Sequence, residues 1–161
     1  MIATRIKHGI VGGLMGGVVF GMMMGFMGTL PMIGKMVSYP NAVVGFLVHL
    51  AISAGIGGSF GLLVGPAVTG KVSGLVAGLA YGSAWWFLGP LTLMPLFMGM
   101  GLGMNWNTTA ASNMLPSLMG HAIFGLVMGL AYSQGENCFF LKLGRTRTQT
   151  APEKPNLHSV S

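Results

Sequence analysis

Two histidines are the side chains of this chain best placed to do chemistry inside an apolar environment. His49 and His121 each lie in a long apolar run, seven residues after Ala42 and six residues after Leu115. At 1.5 Å per helical residue, both imidazoles are expected roughly 10 Å below the same membrane surface. Polar side chains at such a depth are costly, and they are therefore candidates for function.

Each histidine is followed four positions later by a small residue, Ser53 or Gly125. Residues four apart share a helix face, so these small residues would leave space beside each imidazole. A bulky planar ligand such as haem suits this pattern, because histidine is its usual axial group. The alternative is a neutral histidine that bonds a backbone carbonyl or a hydroxyl group on the next helix.

Fifteen methionines gather mainly toward the same end of the apolar runs as the histidines. Thioethers are soft ligands that favour Cu(I), often together with imidazole, and the candidate metal ligands are Met98, Met100, Met119 and His121. Methionine is also an adaptable packing residue that fills the gaps left by glycine. Packing is the interpretation that we favour, and neither haem nor copper is assigned as a cofactor.

Residue patterns of the common enzyme classes are absent from the sequence. The apolar runs contain no Asp, Glu, Lys or Arg, so they hold no paired carboxylates and no buried proton relay. Neither H-E-x-x-H nor G-x-S-x-G occurs, and the single cysteine, Cys138, allows no intramolecular disulfide. We therefore expect a protein that is not an enzyme.

The elements that position these residues are predicted to be membrane helices. The chain is 52% hydrophobic and 6% charged, and it has no charged residue between Lys71 and Glu136. A span needs about 20 apolar residues. The sequence therefore predicts an all-α membrane protein, a four-helix bundle over residues 1–133, with spans at 9–30, 42–64, 72–96 and 115–133. Residues 134–161 are predicted to be a polar, largely disordered cytoplasmic tail.

The basic residues predict the orientation of this bundle. The N-terminus, the second loop and the tail carry seven Lys or Arg residues, whereas the first and third loops carry only Lys35. This bias places both termini in the cytoplasm. The net charge of +6 is explained by these topology determinants and by contact with anionic lipid, so nucleic acid is not an expected partner.

Glycine recurs every fourth residue on the predicted spans, a pattern known as a glycine zipper. Such faces let helix backbones approach closely, within one chain or in a homo-oligomer or larger membrane complex. The glycines predicted to pack helices are Gly9, Gly13, Gly17, Gly21, Gly25, Gly57, Gly61, Gly74, Gly78, Gly82, Gly125 and Gly129.

The two halves of the chain show a partial similarity to each other. The run from Gly9 to Gly17 matches the run from Gly74 to Gly82 at an offset of 65, and His49 matches His121 at an offset of 72. Two helix pairs of the same direction would then be related by an axis along the membrane normal. Chance similarity of glycine-rich apolar sequence is the alternative.

The last predicted span, with Gly120-His121 followed by Gly125 and Gly129, has the form G-H-x-x-x-G-x-x-x-G. In this helix the chain resembles small, uncharacterised four-span bacterial inner-membrane proteins. The resemblance implies a four-span fold in the bacterial inner membrane, and it implies no known activity.

Three classes of function fit these observations. The favoured class is a non-enzymatic membrane scaffold or accessory subunit packed through its glycines. The second is a binder or carrier of haem or a soft metal that uses His49, His121 and the methionines. The third is a small-solute permease, in which Pro90 and Pro95 would make the third span a gate element.

Overall fold

The computed structural model describes residues 1–149, with side chains described through residue 135. Within this part the chain is helical and has no strand. The elements are α1 (Ile2–Phe26), α2 (Leu30–Gly34), α3 (Ala42–Leu63), α4 (Lys71–Leu88), α5 (Met94–Phe97), α6 (Thr108–Asn113) and α7 (Leu115–Gln149). Short 3-10 turns occupy Lys35–Val37 and Gly65–Ala67, and a π-helical segment, Gly89–Leu93, joins α4 to α5.

Four of these helical stretches are long and apolar enough to cross a membrane. They are Ile2–Phe26, Ala42–Leu63, Lys71–Phe97 and Leu115–Gly135. The prediction of an all-α chain with four membrane-length helices is confirmed. The third stretch comprises α4, the π-helical segment and α5, and we call the end of the bundle at which it finishes the outer end.

The ends of the elements differ from the predicted spans for local reasons. α1 ends at Phe26, before the predicted residue 30, because Gly28 adopts a left-handed conformation with φ of 68°. The amides of Gly28 and Thr29 then bond the carbonyls of Gly25 and Met24, which satisfies the last turn of the helix. At the other end of the chain, α7 continues past residue 133 to Gln149. The rest of the predicted tail, 150–161, lies outside the described residues.

Asparagine side chains start two of the helices. The Asn41 side-chain oxygen accepts from the amides of Val43 and Val44 at 2.8 and 3.3 Å, which fixes the start of α3. The Asn107 side-chain oxygen accepts from the Ala110 amide at 2.8 Å at the start of α6. Each cap satisfies amides that have no partner within the helix.

The third span is interrupted at Gly89–Leu93 because Pro90 has no amide hydrogen to donate within the helix. Thr92 lies in this segment, and its hydroxyl donates to the Phe87 carbonyl at 2.8 Å. This side-chain bond satisfies a backbone oxygen where the regular helical pattern is lost.

The spans form a bundle in which α1 packs against α3 on one side and against α7 on the other, while α7 also packs against α4. α3 and α4 meet through side chains: the hydroxyls of Ser59 and Tyr81 are 2.9 Å apart, and the rings of Phe60 and Tyr81 meet edge to face. The buried core lies between the spans and comprises Phe20, Met24, Leu30, Phe60, Phe124, Met128 and Tyr132.

Glycine backbones form the contact between α1 and α3. A Cβ atom on Gly9 would collide with the carbonyl oxygen of Gly57, and a Cβ atom on Gly13 would collide with that of Ser53. Because no side chain separates the two helices at these points, their backbones touch. This close approach is what a glycine zipper permits in lipid.

The contact between α4 and α7 is built in the same way. A Cβ atom on Gly78 would collide with the carbonyl oxygen of Gly125, and one on Gly74 would lie 2.6 Å from the carbonyl oxygen of Gly129. The reverse also holds, since Cβ atoms on Gly125 and Gly129 would collide with the carbonyl oxygens of Gly78 and Gly74.

A second glycine face of α1 meets α7, although the predicted stripe does not include it. Cβ atoms on Gly12 and Gly16 would lie 2.7 and 2.6 Å from the carbonyl oxygens of Met128 and Phe124. Among the glycines that the sequence predicted for packing, Gly25 is exposed, and a Cβ atom there would meet only Leu30, at 3.6 Å.

We predict that Gly78→Leu destabilises the bundle because the larger side chain forces α4 away from the backbone of α7. Overpacking of this kind costs about 1–3 kcal/mol or more. Gly17→Leu should act likewise, since a Cβ atom on Gly17 would lie 2.6 Å from the Ser53 side chain. The measurement is the unfolding midpoint of the purified protein in detergent, followed by circular dichroism.

Gly55→Leu is the matched control, because Gly55 is exposed on α3 and a Cβ atom there would meet nothing within 4 Å. Its unfolding midpoint should equal that of the wild type. Equal midpoints for Gly78→Leu and Gly55→Leu would show that the glycine contacts do not hold the helices together.

Candidate functional site

The two histidines meet the same aromatic ring in the core of the bundle. α1 places Phe20 one turn after Gly16, and its side chain is only 6% exposed. The Phe20 ring meets the His49 ring edge to face at a centroid distance of 5.4 Å and the His121 ring at 4.8 Å. The two imidazoles are therefore brought to one site, with Phe20 in contact with both.

His49 ties α3 to α1 through a hydrogen bond. Its Nε2 atom lies 3.0 Å from the carbonyl oxygen of Gly17. The close approach of α3 is possible because Gly17 has no side chain, and the buried Ser53 packs on the same glycine. The sequence left two roles open for His49, binding of a ligand or a hydrogen bond to a backbone carbonyl of a neighbouring helix. In the structure His49 makes the hydrogen bond.

His121 bonds within its own helix instead. Its Nδ1 atom lies 2.8 Å from the carbonyl oxygen of Ser117, one turn earlier on α7, and 3.4 Å from the Ser117 hydroxyl. In contrast to His49, whose bond joins two helices, His121 uses this bond to fix the orientation of its own ring.

These bonds specify the tautomer of each neutral ring. A carbonyl oxygen only accepts, so the imidazole nitrogen opposite it must carry the hydrogen. His49 is therefore protonated on Nε2, and His121 on Nδ1. The two histidines, which the sequence places at equivalent depths, hold opposite tautomers.

The Nε2 atom of His121 is left with a lone pair. Within the described part of the chain it has no hydrogen-bond partner. It lies 3.8 Å from the position that a Cβ atom on Gly89 would take, and no other atom outside the local backbone lies within 4 Å of that position. The first residue of the π-helical segment therefore leaves room beside this nitrogen, which can accept a hydrogen bond or coordinate a cation.

The small residues that were predicted to leave space for a ligand are covered by neighbouring helices. Ser53 is 1% exposed and packs on α1, and Gly125 packs on the backbone of Gly78 in α4. Since Phe20 contacts both histidines, a planar ligand held by both imidazoles would have to displace this ring.

The candidate methionines lie on the surface of the chain. Met98, Met100 and Met119 are 39, 49 and 60% exposed. Among the described residues, no group of three or more His, Cys, Asp or Glu side chains is arranged to hold a metal ion. Coordination at His121 would therefore have to draw its other ligands from thioethers, from the backbone or from outside the chain.

A second aromatic group, not identified from the sequence, lies farther from the outer end of the bundle than the histidine site. Phe60 is fully buried and meets both Tyr81 and Tyr132 edge to face, at 5.3 and 5.4 Å. Tyr132 also meets the ring of His8 at 6.5 Å. Helical spacing was the available signal, because Phe124, Met128 and Tyr132 recur every four residues on one face of α7.

We predict that nitrogen-15 NMR of histidine-labelled protein in detergent will show opposite tautomers for the two membrane histidines. His49 should carry its proton on Nε2 and His121 on Nδ1, because each bonds a carbonyl through that nitrogen. Signals are assigned with His49→Ala and His121→Ala. The same tautomer in both rings would contradict the asymmetric site.

Compared with models of protein families, with curated proteins and with solved structures, the chain shows no match, so its role is inferred from the contacts described above.

Proposed function

We propose that this protein is a non-enzymatic integral membrane scaffold or accessory subunit. The observation that carries the proposal is how the glycine faces are used. On α1, α4 and α7, glycines such as Gly9, Gly13, Gly78 and Gly129 place backbone directly against backbone. A bundle held in this way has a rigid shape, which suits a structural role.

The buried polar side chains support the same interpretation. Ser133 donates to the Leu130 carbonyl, Thr92 to the Phe87 carbonyl, and His49 to the Gly17 carbonyl. Each of these groups is thus used to satisfy or connect backbone. Chemistry of the acid–base or nucleophilic kind needs such groups directed at a substrate instead.

We infer that α1–α3 and α4–α7 are tandem repeats. The offsets of 65 and 72 relate Gly9 to Gly74 and Gly57 to Gly129, and these are the residues that touch in each helix pair. The same offsets relate the contact of Gly13 with Ser53 to the contact of Gly78 with Gly125. Two equivalent contacts in the same register support duplication over chance similarity of glycine-rich sequence.

The proposed setting is a bacterial inner membrane, with both termini in the cytoplasm. Four membrane-length helices return the chain to its starting side, and the basic residues lie mainly on that side. In this setting the partners are lipid and either further copies of the chain or a larger membrane complex. A rigid bundle can present a fixed surface to any of these.

A second candidate function is binding of a soft metal ion or of haem through His121. It is favoured by one observation, the Nε2 lone pair of His121 beside Gly89. The Nε2 atom of His49 is engaged by the Gly17 carbonyl, so this imidazole could contribute to such a site only through Nδ1, whereas His121 would use Nε2.

We predict that the purified protein, expressed with iron and copper available, is colourless and metal-free and does not conduct solutes when reconstituted in liposomes. The reason is that the interior is occupied by helix contacts. The measurements are the absorption spectrum, elemental analysis and substrate flux.

A Soret band or stoichiometric copper that is lost in His121→Ala and retained in His49→Ala would replace the scaffold proposal with the second candidate. Solute flux that depends on the protein would replace both with a permease. Replacement of Met98 and Met100 separates copper held by thioethers from copper held by His121 alone.

We also predict the orientation from reporter fusions. Green fluorescent protein fused after Ser161 should fluoresce, and alkaline phosphatase fused after Asn41, in the loop before α3, should be active. Alkaline phosphatase fused after Val68, in the loop before α4, is the inactive control. An active phosphatase after Ser161 would contradict the proposed orientation.

A further inference from the structure

An unusually apolar loop follows the third span at the outer end of the bundle. We define the apolar loop as residues 96–106, which include the last two residues of α5. Its large side chains are between 39 and 67% exposed: Leu96, Phe97, Met98, Met100, Leu102, Met104 and Trp106. A contiguous exposed apolar surface of this kind marks a site of contact with another molecule or with a membrane.

The backbone of this loop is shaped by glycine. Gly99, Gly101 and Gly103 all adopt left-handed conformations, with φ of 76°, 89° and 81°. Side chains other than glycine are strained in this region of backbone space. The alternation of glycine with apolar residues therefore builds a tightly turning loop in which every second residue carries a large apolar side chain.

Hydrogen bonds hold the loop in this shape. The Met100 amide donates to the Pro95 carbonyl and the Trp106 amide donates to the Gly103 carbonyl, each at 3.0 Å. The Asn107 side chain donates to the Met104 carbonyl at 3.1 Å. These bonds satisfy part of the loop's backbone, and the remaining amides and carbonyls need water or headgroups as partners, which restricts the loop to the membrane surface region.

Trp106 fixes the height of the loop relative to the membrane. Its ring stacks on Phe87 at a centroid distance of 5.8 Å, and its Nε1 atom donates to the Thr92 hydroxyl at 3.1 Å. Phe87 follows Lys71 by 16 residues, which is about 24 Å along the helix axis. With Lys71 at the inner boundary of the hydrocarbon layer, which is about 30 Å thick, Phe87 is expected inside the layer and toward its outer side.

The loop is also continuous with the lipid-facing surface of the third span. Phe87 and Leu88 are 46 and 43% exposed on the outside of the bundle. Trp106 covers part of this surface, so the loop folds back onto the exposed side of the third span. Tryptophan is enriched at this boundary, because its ring is apolar and its N–H is polar.

We propose that the apolar loop inserts into the outer leaflet of the bilayer, at the boundary between headgroups and acyl chains. Its occupant is the lipid of the same membrane. No charged side chain occurs between residues 72 and 135 to favour water or a charged partner. The inserted side chains anchor the end of the π-helical segment, to which Trp106 is bonded.

The test uses single cysteines labelled with an environment-sensitive fluorophore in a Cys138→Ser background. Leu102→Cys reports on the loop, and Thr109→Cys on the polar helix α6 is the matched control; both positions are exposed. The protein is reconstituted in phosphatidylcholine vesicles with either brominated lipid or aqueous iodide as the quencher.

In vesicles, the label at 102 should be quenched by brominated lipid roughly twofold or more above the label at 109, as expected for a group at the acyl boundary. Iodide should give the reverse order. Stronger quenching of the label at 102 by iodide would overturn the proposal by placing the loop in water. Protection of this label from both quenchers would overturn it in favour of a protein cover, such as a second copy of the chain.

A second variant controls for an effect of the label. Leu102→Ser with Met104→Ser removes two exposed side chains, so the unfolding midpoint in detergent should be unchanged. In a Trp85→Phe, Trp86→Phe background, the emission of Trp106 in vesicles should shift to the red in this variant. An unshifted emission would show that Leu102 and Met104 do not hold the loop in lipid.

Discussion

Direct contact between helix backbones is the constraint on which the rest of this structure depends. In lipid there is little hydrophobic drive to bring apolar helices together, so association relies on close packing and on interhelical hydrogen bonds. Glycine provides both here. It removes the side chain that would separate α1 from α3, and it exposes the Gly17 carbonyl to His49. The position of the histidine thus follows from the position of the glycine stripe.

The number and the approximate limits of the membrane helices followed from hydropathy, because lipid imposes a minimum apolar length on each span. The ends of these helices did not follow from hydropathy, because each end depends on the conformation of one or two residues. The left-handed Gly28 shortens α1, and Pro90 converts part of the third span into a π-helical segment. The second glycine face of α1, with Gly12 and Gly16, was not identified because a four-residue stripe describes only one side of a helix.

The sequence predicted which residues form the candidate site, but it did not predict the hydrogen bonds that each of them makes. Equal depth suggested that His49 and His121 lie near one another, and both do contact Phe20. What sequence spacing cannot give is the partner of each ring nitrogen, since this depends on which helix covers each face. The tautomers, and with them the lone pair of His121, are set by the carbonyls of Gly17 and Ser117.

Small differences between the two proposed repeats explain why the bundle is asymmetric. At an offset of 65, Gly16 corresponds to Tyr81. Gly16 lets α1 touch the backbone of α7 at Phe124, whereas the Tyr81 side chain stands between α4 and α3 and bonds Ser59. One interface between the repeats is therefore closed by backbone contact, and the other is filled by side chains. At the same offset Gly12 corresponds to Ala77, so both glycines of the α1 face that meets α7 are replaced by larger residues on α4, and this accounts for the unequal contacts between the two halves.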